Sequence, residues 1–161
     1  MATMDKITPF LWFDGKAEEA ANFYVSIFPN SKISGIARNG KNMPGPEGAV
    51  LTVSFVLNGQ NYVALNVGPG FPFTQAISLF ISCTRQEEID YYWQRLTAGG
   101  KEVQCGWLVD KYGLSWQVVP DKIMQWLTGG DQAASDRVMQ AVMKMVKLDY
   151  AKLQGAYHGQ G

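Results

Sequence analysis

A single amide stands among apolar residues in the stretch at 105–120, which reads CGWLVDKYGLSWQVVP. Its Asp-Lys-Tyr-Gly centre predicts a tight turn, because aspartate opens turns through its side chain and glycine tolerates positive φ. Side chains alternate along the strand that follows, so Gln117 shares a face with Ser115 and Val119. That face is predicted either to contact water or to line a cavity, where the amide could hydrogen-bond a ligand.

Residue types that bind transition metals or act as nucleophiles are scarce in this chain. The single histidine, His158, lies in the tail at 155–161. Cys83 and Cys105 have no candidate activating base near them in the sequence, so both thiols are predicted to be inert. Two cysteines are too few for a disulfide framework, which favours a reducing cytoplasm.

Length and charge limit the class of protein. The 161 residues fit one domain, and a hydrophobic fraction of 47% suffices for a core. Fourteen basic residues balance fourteen acidic ones, so nothing favours binding to nucleic acid or to an anionic membrane. No run of about 18 apolar residues predicts a membrane span, and the N-terminal stretch does not resemble a signal peptide. We therefore predict a cytoplasmic protein with neither nucleic-acid nor membrane partners.

Hydrophobic periodicity and turn residues predict a strand, a helix and further strands, twice over. The first half is predicted to hold a strand at 7–13, a helix at 17–28, and strands at 33–38, 50–57 and 62–67. The second half is predicted to hold a strand at 76–83, a helix at 86–96, and strands at 103–109 and 114–119. Two helices, at 121–127 and 135–153, follow. The dipeptide Asn58-Gly59 favours a two-residue hairpin turn.

The two halves form an internal repeat. The acidic pairs that begin at Glu18 and Glu87 lie 69 residues apart, and the same offset places Leu11 on Phe80. Carboxylates in the first turn of a helix stabilise its dipole, which explains these pairs better than general-base catalysis does. Each helix covers one face of its sheet only, so the two sheets are expected to enclose a groove that could bind a ligand. The predicted organisation is one domain at 1–161, with modules at 7–67 and 76–120 and C-terminal helices at 121–155.

Several motifs together resemble one protein family. They read PFLWFDGKAEEAANFY, MPGPEG, ALNVGP, QEEIDYYW and CGWLVDKYGLSWQVVP, within residues 8–120. The sequence resembles the PhnB-like branch, labelled 3-demethylubiquinone-9 3-methyltransferase-like, of the vicinal oxygen chelate superfamily. That superfamily includes glyoxalase I, bleomycin-resistance proteins and extradiol dioxygenases. The resemblance implies an α+β fold of two βαβββ modules, here with a C-terminal helical extension, and a homodimer with a cavity in each sheet.

The resemblance also implies where metal ligands would lie. Metal-using members carry His, Glu or Gln on the first and last strands of each module, with a Glu four residues after the turn glycine of the last strand. In this chain Gln117 stands at that position, counted from Gly113, and we place Asn66 at the matching strand end of the first module. The other residues predicted to face the cavity are Thr8, Phe10, Trp12, Ser78 and Phe80.

These side chains are apolar, or carry neutral hydroxyl or amide groups, which are poor ligands for a divalent transition metal. The sequence therefore predicts no cofactor, with a divalent metal held by other ligands as the alternative. Methyltransferase activity would require a site for S-adenosylmethionine. On the common α/β scaffold such a site needs a glycine-rich turn between a strand and a helix. The glycines at 35, 40, 45 and 48 do not form such a turn.

Three functions remain open at the level of the sequence. The first is a metal-free protein that binds a small apolar or aromatic molecule, and it is favoured by the neutral, aromatic residue set. The second is a metal-dependent lyase, isomerase or dioxygenase, and the third is a cofactor-independent enzyme. Gln117 and Asn66 could bind a ligand or satisfy backbone groups. Phe10, Trp12 and Phe80 could form an aromatic wall or an ordinary core.

Overall fold

The chain forms two compact units that divide between Pro72 and Phe73. The structure is a computed structural model, and it describes residues 4–160. Each unit contains a four-stranded mixed sheet and a helix in the order βαβββ, and further helices follow in the second unit. The predicted α+β fold of two such modules with a C-terminal helical extension is thus confirmed.

The first unit is a mixed sheet with one helix. Its elements are β1 (Phe10–Phe13), α1 (Ala17–Ile27), β2 (Lys32–Arg38), β3 (Val50–Leu57) and β4 (Gln60–Asn66). The strand order is β1-β4-β3-β2, with β1 parallel to β4 and the other pairs antiparallel. Asn58 and Gly59 join β3 to β4 with φ values of 46° and 85°, which is the two-residue hairpin that the sequence predicts.

The core of the first unit lies between its sheet and α1. Leu11, Phe13 and Ala64 are buried on the face of the sheet that α1 covers. The ring of Tyr24 on α1 stacks on that of Phe55, with 6.3 Å between the ring centroids. Both rings are fully buried, and full burial of one such aromatic side chain contributes about 1.5–3 kcal/mol.

The second unit repeats this plan with shorter strands. Its elements are β5 (Ser78–Cys83), α2 (Gln86–Thr97), β6 (Lys101–Glu102), β7 (Trp107–Val109) and β8 (Ser115–Pro120), in the order β5-β8-β7-β6. The continuous strand predicted at 103–109 is wrong. Cys105 and Gly106 have φ values of 65° and 80°, so the backbone leaves the extended conformation between β6 and β7.

The turn before β8 is built around a buried carboxylate. Asp110 accepts hydrogen bonds from the backbone N–H of Tyr112 at 2.8 Å, from that of Leu114 at 3.1 Å, and from the indole N–H of Trp116 at 2.8 Å. One carboxylate thus satisfies both the backbone N–H donors of the turn and the indole N–H of the buried Trp116. This arrangement fixes the register at which β8 begins.

The repeat has two offsets, one for the helices and one for the strands. The helices begin at Ala17 and Gln86, which fits the predicted offset of 69. The overlay of Leu11 on Phe80 is wrong, because Leu11 is 6% exposed on the helix side while Phe80 is 47% exposed on the other side. The buried counterpart of Leu11 is Ile81, because three residues connect β1 to α1 but two connect β5 to α2. A shift of one residue reverses the face of every side chain in a strand.

The C-terminal extension, residues 121–160, contains three helices, α3 (Ile123–Thr128), α4 (Gln132–Val142) and α5 (Tyr150–Tyr157). The long helix predicted at 135–153 is wrong, since the chain is not helical between α4 and α5. Asp149 begins α5 by accepting a hydrogen bond from the backbone N–H of Lys152 at 3.0 Å. Within residues 4–160, no helix has the length and hydropathy required to cross a bilayer.

Candidate functional site

A cavity of about 200 Å³ lies in the second unit, on the face of the sheet that points away from α2. Phe80, Trp107 and Gln117 line it from the sheet, and side chains of α3 and α4 line it from the extension. The full lining is Phe80, Cys105, Trp107, Gln117, Val119, Ile123, Met124, Leu127, Met139, Val142 and Leu148. Gln117 is the one amide among these residues, and no carboxylate or cationic side chain is in the set.

Gln117 lies in this cavity because β8 alternates between two buried environments. Trp116 and Val118 are buried on the side of α2, so Gln117 points to the opposite side. Its amide nitrogen donates a hydrogen bond to Ser78 Oγ at 2.9 Å, and Gln117 is paired with Phe80 in the β5–β8 register. The structure thus brings together three residues that the sequence predicts to share one face.

The hydrogen bond to Ser78 occupies one end of the Gln117 amide. Since the Nε2 atom of Gln117 is the donor in that bond, its Oε1 atom remains available as an acceptor. The half-buried side chain makes no other hydrogen bond with residues 4–160. A molecule in the cavity would therefore meet mostly apolar walls and the acceptor of Gln117.

The two cysteines have different environments. Cys83 is fully buried on the side of α2, and burial together with the charge of Glu88 raises the pKa of its thiol to about 12. Such a thiol is protonated and unreactive at neutral pH. Cys105 is half-buried in the wall of the cavity, with Trp107 and Leu148 among the other lining residues. Both cysteines are free thiols.

The first unit contributes three of the predicted site residues on or near β1. Thr8 lies before the strand and donates its hydroxyl to the carbonyl of Asp5 at 3.0 Å. Phe10 is 55% exposed. Trp12 donates its indole N–H to the carbonyl of Gly68 at 2.8 Å, and its ring packs edge-on against Phe71 at a centroid distance of 5.0 Å. Trp12 therefore anchors the end of the first unit.

Asn66 is a positioning residue for α1. It pairs with Phe13, so it lies on the opposite side of the first sheet from Phe10. Its Oδ1 atom accepts a hydrogen bond from the backbone N–H of Ala17 at 2.9 Å, and its Nδ2 atom donates to the carbonyl of Val50 at 3.1 Å. The amide thereby satisfies the first N–H of α1. The structure does not bring Asn66 together with Phe10 and Trp12 on one face.

The residue that matches Gln117 in the first unit is Val63. Phe10 pairs with Val63 in the β1–β4 register, as Phe80 pairs with Gln117 in the β5–β8 register. The signal was present in the sequence, because Val63 follows the turn glycine Gly59 by four residues, as Gln117 follows its own turn glycine. Asn66 instead lies at the end of β4, three residues after Val63, and pairs with Phe13.

The donor set at these positions does not fit a divalent metal ion. Val63 offers no ligand atom, and Gln117 offers one neutral oxygen. The described chain, residues 4–160, contains no group of three or more His, Cys, Asp or Glu residues that could hold a metal.

The connections between strands and helices likewise do not fit S-adenosylmethionine on the common α/β scaffold. The β1–α1 connection contains one glycine, Gly15, and the β5–α2 connection contains none.

Comparison with known proteins assigns the chain to a family. A family model described as 3-demethylubiquinone-9 3-methyltransferase matches residues 5–119. The chain belongs to this family. The solved structure of a PhnB protein from Bacillus cereus is 44% identical and has a TM-score of 0.64, covering 70% of this chain and 96% of its own. The predicted membership of the PhnB-like branch of the vicinal oxygen chelate superfamily is confirmed. No curated protein matches the chain.

More distant structures share the fold alone. A protein from Pseudomonas aeruginosa is 18% identical with a TM-score of 0.57, over 71% of this chain and 95% of its own. The fosfomycin resistance protein FosX from Listeria monocytogenes, solved with Mn(II) and sulfate, is 15% identical with a TM-score of 0.51, over 71% of this chain and 90% of its own. At this identity the similarity carries no information about the ligand of this family member.

Proposed function

We propose that this protein binds a small apolar or aromatic molecule in the cavity of the second unit. The observation that supports the proposal is the chemistry of the lining, which is mostly apolar, has no charged side chain and contains one amide, that of Gln117. An apolar cavity of roughly 150 Å³ can hold benzene. A cavity of about 200 Å³ therefore suits one aromatic ring with a small substituent.

The orientation of Gln117 adds a second requirement. Its Oε1 atom accepts hydrogen bonds, while its Nε2 atom already donates to Ser78. A ligand with a hydroxyl or N–H group at the edge of its ring would satisfy this acceptor, which a plain hydrocarbon would not. The proposed ligand class is thus a single-ring molecule of the phenol type.

Binding can be tested by calorimetry and thermal shift with phenol and with benzene. A ligand at 100 times its Kd stabilises the folded state by about 2.7 kcal/mol, which a thermal shift detects. We expect phenol to bind the wild-type protein about tenfold more tightly than benzene, because one hydrogen bond contributes about 1.4 kcal/mol. Gln117→Leu should abolish this preference while benzene still binds. Gln125→Leu is the matched control, since Gln125 is an exposed amide of the same unit.

Two outcomes would contradict the proposal. The first is that neither phenol nor benzene shifts the melting temperature of the wild-type protein. The second is that about one Mn²⁺, Ni²⁺, Co²⁺ or Zn²⁺ per chain stays bound through gel filtration, which would favour a metal-dependent lyase, isomerase or dioxygenase.

The proposal includes a homodimer in the cytoplasm. The dimer is expected from the resemblance to the superfamily. The two free thiols, Cys83 and Cys105, suit a reducing compartment. Sedimentation velocity tests the first part, and a monomer at micromolar concentration would contradict it. Fractionation of the source cells tests the second part.

A further inference from the structure

The cavity that contains Gln117 is lined by two parts of the chain, the region that matches the family and the C-terminal extension. The family match ends at residue 119, immediately before the C-terminal extension. Phe80, Trp107 and Gln117 belong to the matched region, whereas Leu127 and Met139 belong to the extension. About half of the lining thus comes from residues outside the region that defines the family. The extension closes a face of the sheet that the repeated module by itself leaves uncovered.

Backbone hydrogen bonds hold the extension against the sheet. The N–H groups of Cys105 and Gly106 donate to the carbonyls of Met145 and Val146 at 2.9 and 2.8 Å. The left-handed backbone at Cys105 and Gly106 turns both N–H groups out of the sheet toward these carbonyls. Gly106 also leaves room for Leu148, since a Cβ atom at Gly106 would lie 2.8 Å from Leu148 Cγ.

Side chains of α2 hold the same segment. Gln86 donates its amide nitrogen to the carbonyl of Leu148 at 3.2 Å, and its Oε1 atom accepts from the backbone N–H of Tyr150 at 2.7 Å. The ammonium of Lys147 contacts the carboxylate of Asp90 at 2.7 Å. Backbone and side-chain contacts together hold the stretch between α4 and α5 in place. The wall of the cavity that this stretch supports is therefore an ordered part of the second unit.

We propose that the extension sets the size limit of the ligand, and that Leu127 and Met139 are its specificity-determining residues. This inference rests on the proposed binding of a phenol-type molecule. Leu127 is half-buried at the end of α3, and Met139 on α4 is 40% exposed at the cavity. Shortening either side chain enlarges the space opposite Gln117 without removing the hydrogen-bond acceptor. The wild-type cavity admits one ring, and the enlarged cavity admits two fused rings.

The test compares phenol with naphthol by calorimetry. We expect wild-type protein to prefer phenol, and Leu127→Ala and Met139→Ala to shift the ratio of the two affinities toward naphthol by at least about tenfold. Met143→Ala is the matched control, because Met143 lies just beyond α4, is 61% exposed and does not line the cavity. Its ratio should equal that of the wild-type protein.

The outcomes separate the two proposals. If phenol binds but Leu127→Ala and Met139→Ala keep the wild-type ratio, the size limit set by the extension is wrong and the binding function stands. If neither phenol nor naphthol binds the wild-type protein or any variant, the binding function is wrong and the inference falls with it.

A second measurement tests the wall without a ligand. Cys105 lies in the cavity wall, whereas Cys83 is fully buried, so an aromatic disulfide should label Cys105 alone. We expect slow labelling in the folded wild-type protein and labelling at least tenfold faster in Gly106→Val, where Leu148 is displaced. Leu148→Ala serves if Gly106→Val does not fold. Equal rates in the wild-type protein and the variants would contradict the premise that the extension covers this wall of the cavity.

Discussion

Gly106 lies just before β7 and packs against Leu148 of the C-terminal extension, so Gly106→Ala tests the contact between them. An added Cβ atom would lie 2.8 and 2.9 Å from Cγ and Cδ1 of Leu148, and 3.1 Å from the carbonyl oxygen of Val118. The first two distances require Leu148 to move. The φ value of 80° adds strain, because an L side chain is disfavoured in this region.

The expected loss of stability has two parts. An alanine with left-handed backbone costs about 1–2 kcal/mol relative to glycine. Overpacking a filled core costs about 1–3 kcal/mol. Gly106→Ala should therefore lower the free energy of unfolding by about 2–5 kcal/mol. Gly130 has a φ value of 91° and open space around its Cα, so Gly130→Ala should show the conformational part alone.

Urea unfolding followed by tryptophan fluorescence measures the difference. Four of the five tryptophans, at 93, 107, 116 and 126, lie in the second unit, so the signal reports mainly that unit. The entropy that alanine removes from the unfolded chain is the same in both variants and cancels in their comparison. If Gly106→Ala and Gly130→Ala lose the same free energy, the reasoning about Leu148 is refuted. In the double variant with Leu148→Ala, the two losses should be less than additive.

Three further predictions concern polar groups with named partners. Asp110→Asn should lower the free energy of unfolding by about 2–4 kcal/mol in the same urea assay, because the buried carboxylate accepts hydrogen bonds from three N–H groups, including the indole of Trp116. A loss below about 1 kcal/mol would contradict this prediction. Burial and the hydrogen bond to Asp121 raise the pKa of Tyr150 from 10.0 to about 12, so its contribution to stability should be present below pH 10 and lost between pH 10 and 12. Tyr150→Phe should flatten the stability curve over that interval, and an unchanged slope would show that the contact contributes nothing. Asn66→Ala should cost about 1–2 kcal/mol by removing the cap of α1, yet leave the affinity for phenol unchanged, which calorimetry can check.

Local signals in the sequence were sufficient for most elements of the fold. Asn58-Gly59 fixed a hairpin because both residues accept positive φ at low cost. Apolar periodicity fixed both helices, and acidic residues do lie in their first turns, as predicted. The shared face of Ser78, Phe80 and Gln117 followed from the two-residue period of a strand. These features depend on residues that are close in sequence, so the sequence contains their causes.

Contacts between distant residues decided the rest. Asn66 caps α1 because the β1–β4 register places it beside Phe13, a fact that no local pattern contains. The predicted helix at 135–153 is interrupted because the carbonyls of residues 145 and 146 bond to N–H groups 40 residues earlier in the chain. Periodicity describes which side chains could be buried, whereas tertiary hydrogen bonds decide which backbone groups remain available for a helix. The sequence alone thus determined the face of β8 on which Gln117 lies. The cavity around its amide was decided by the packing of the C-terminal extension.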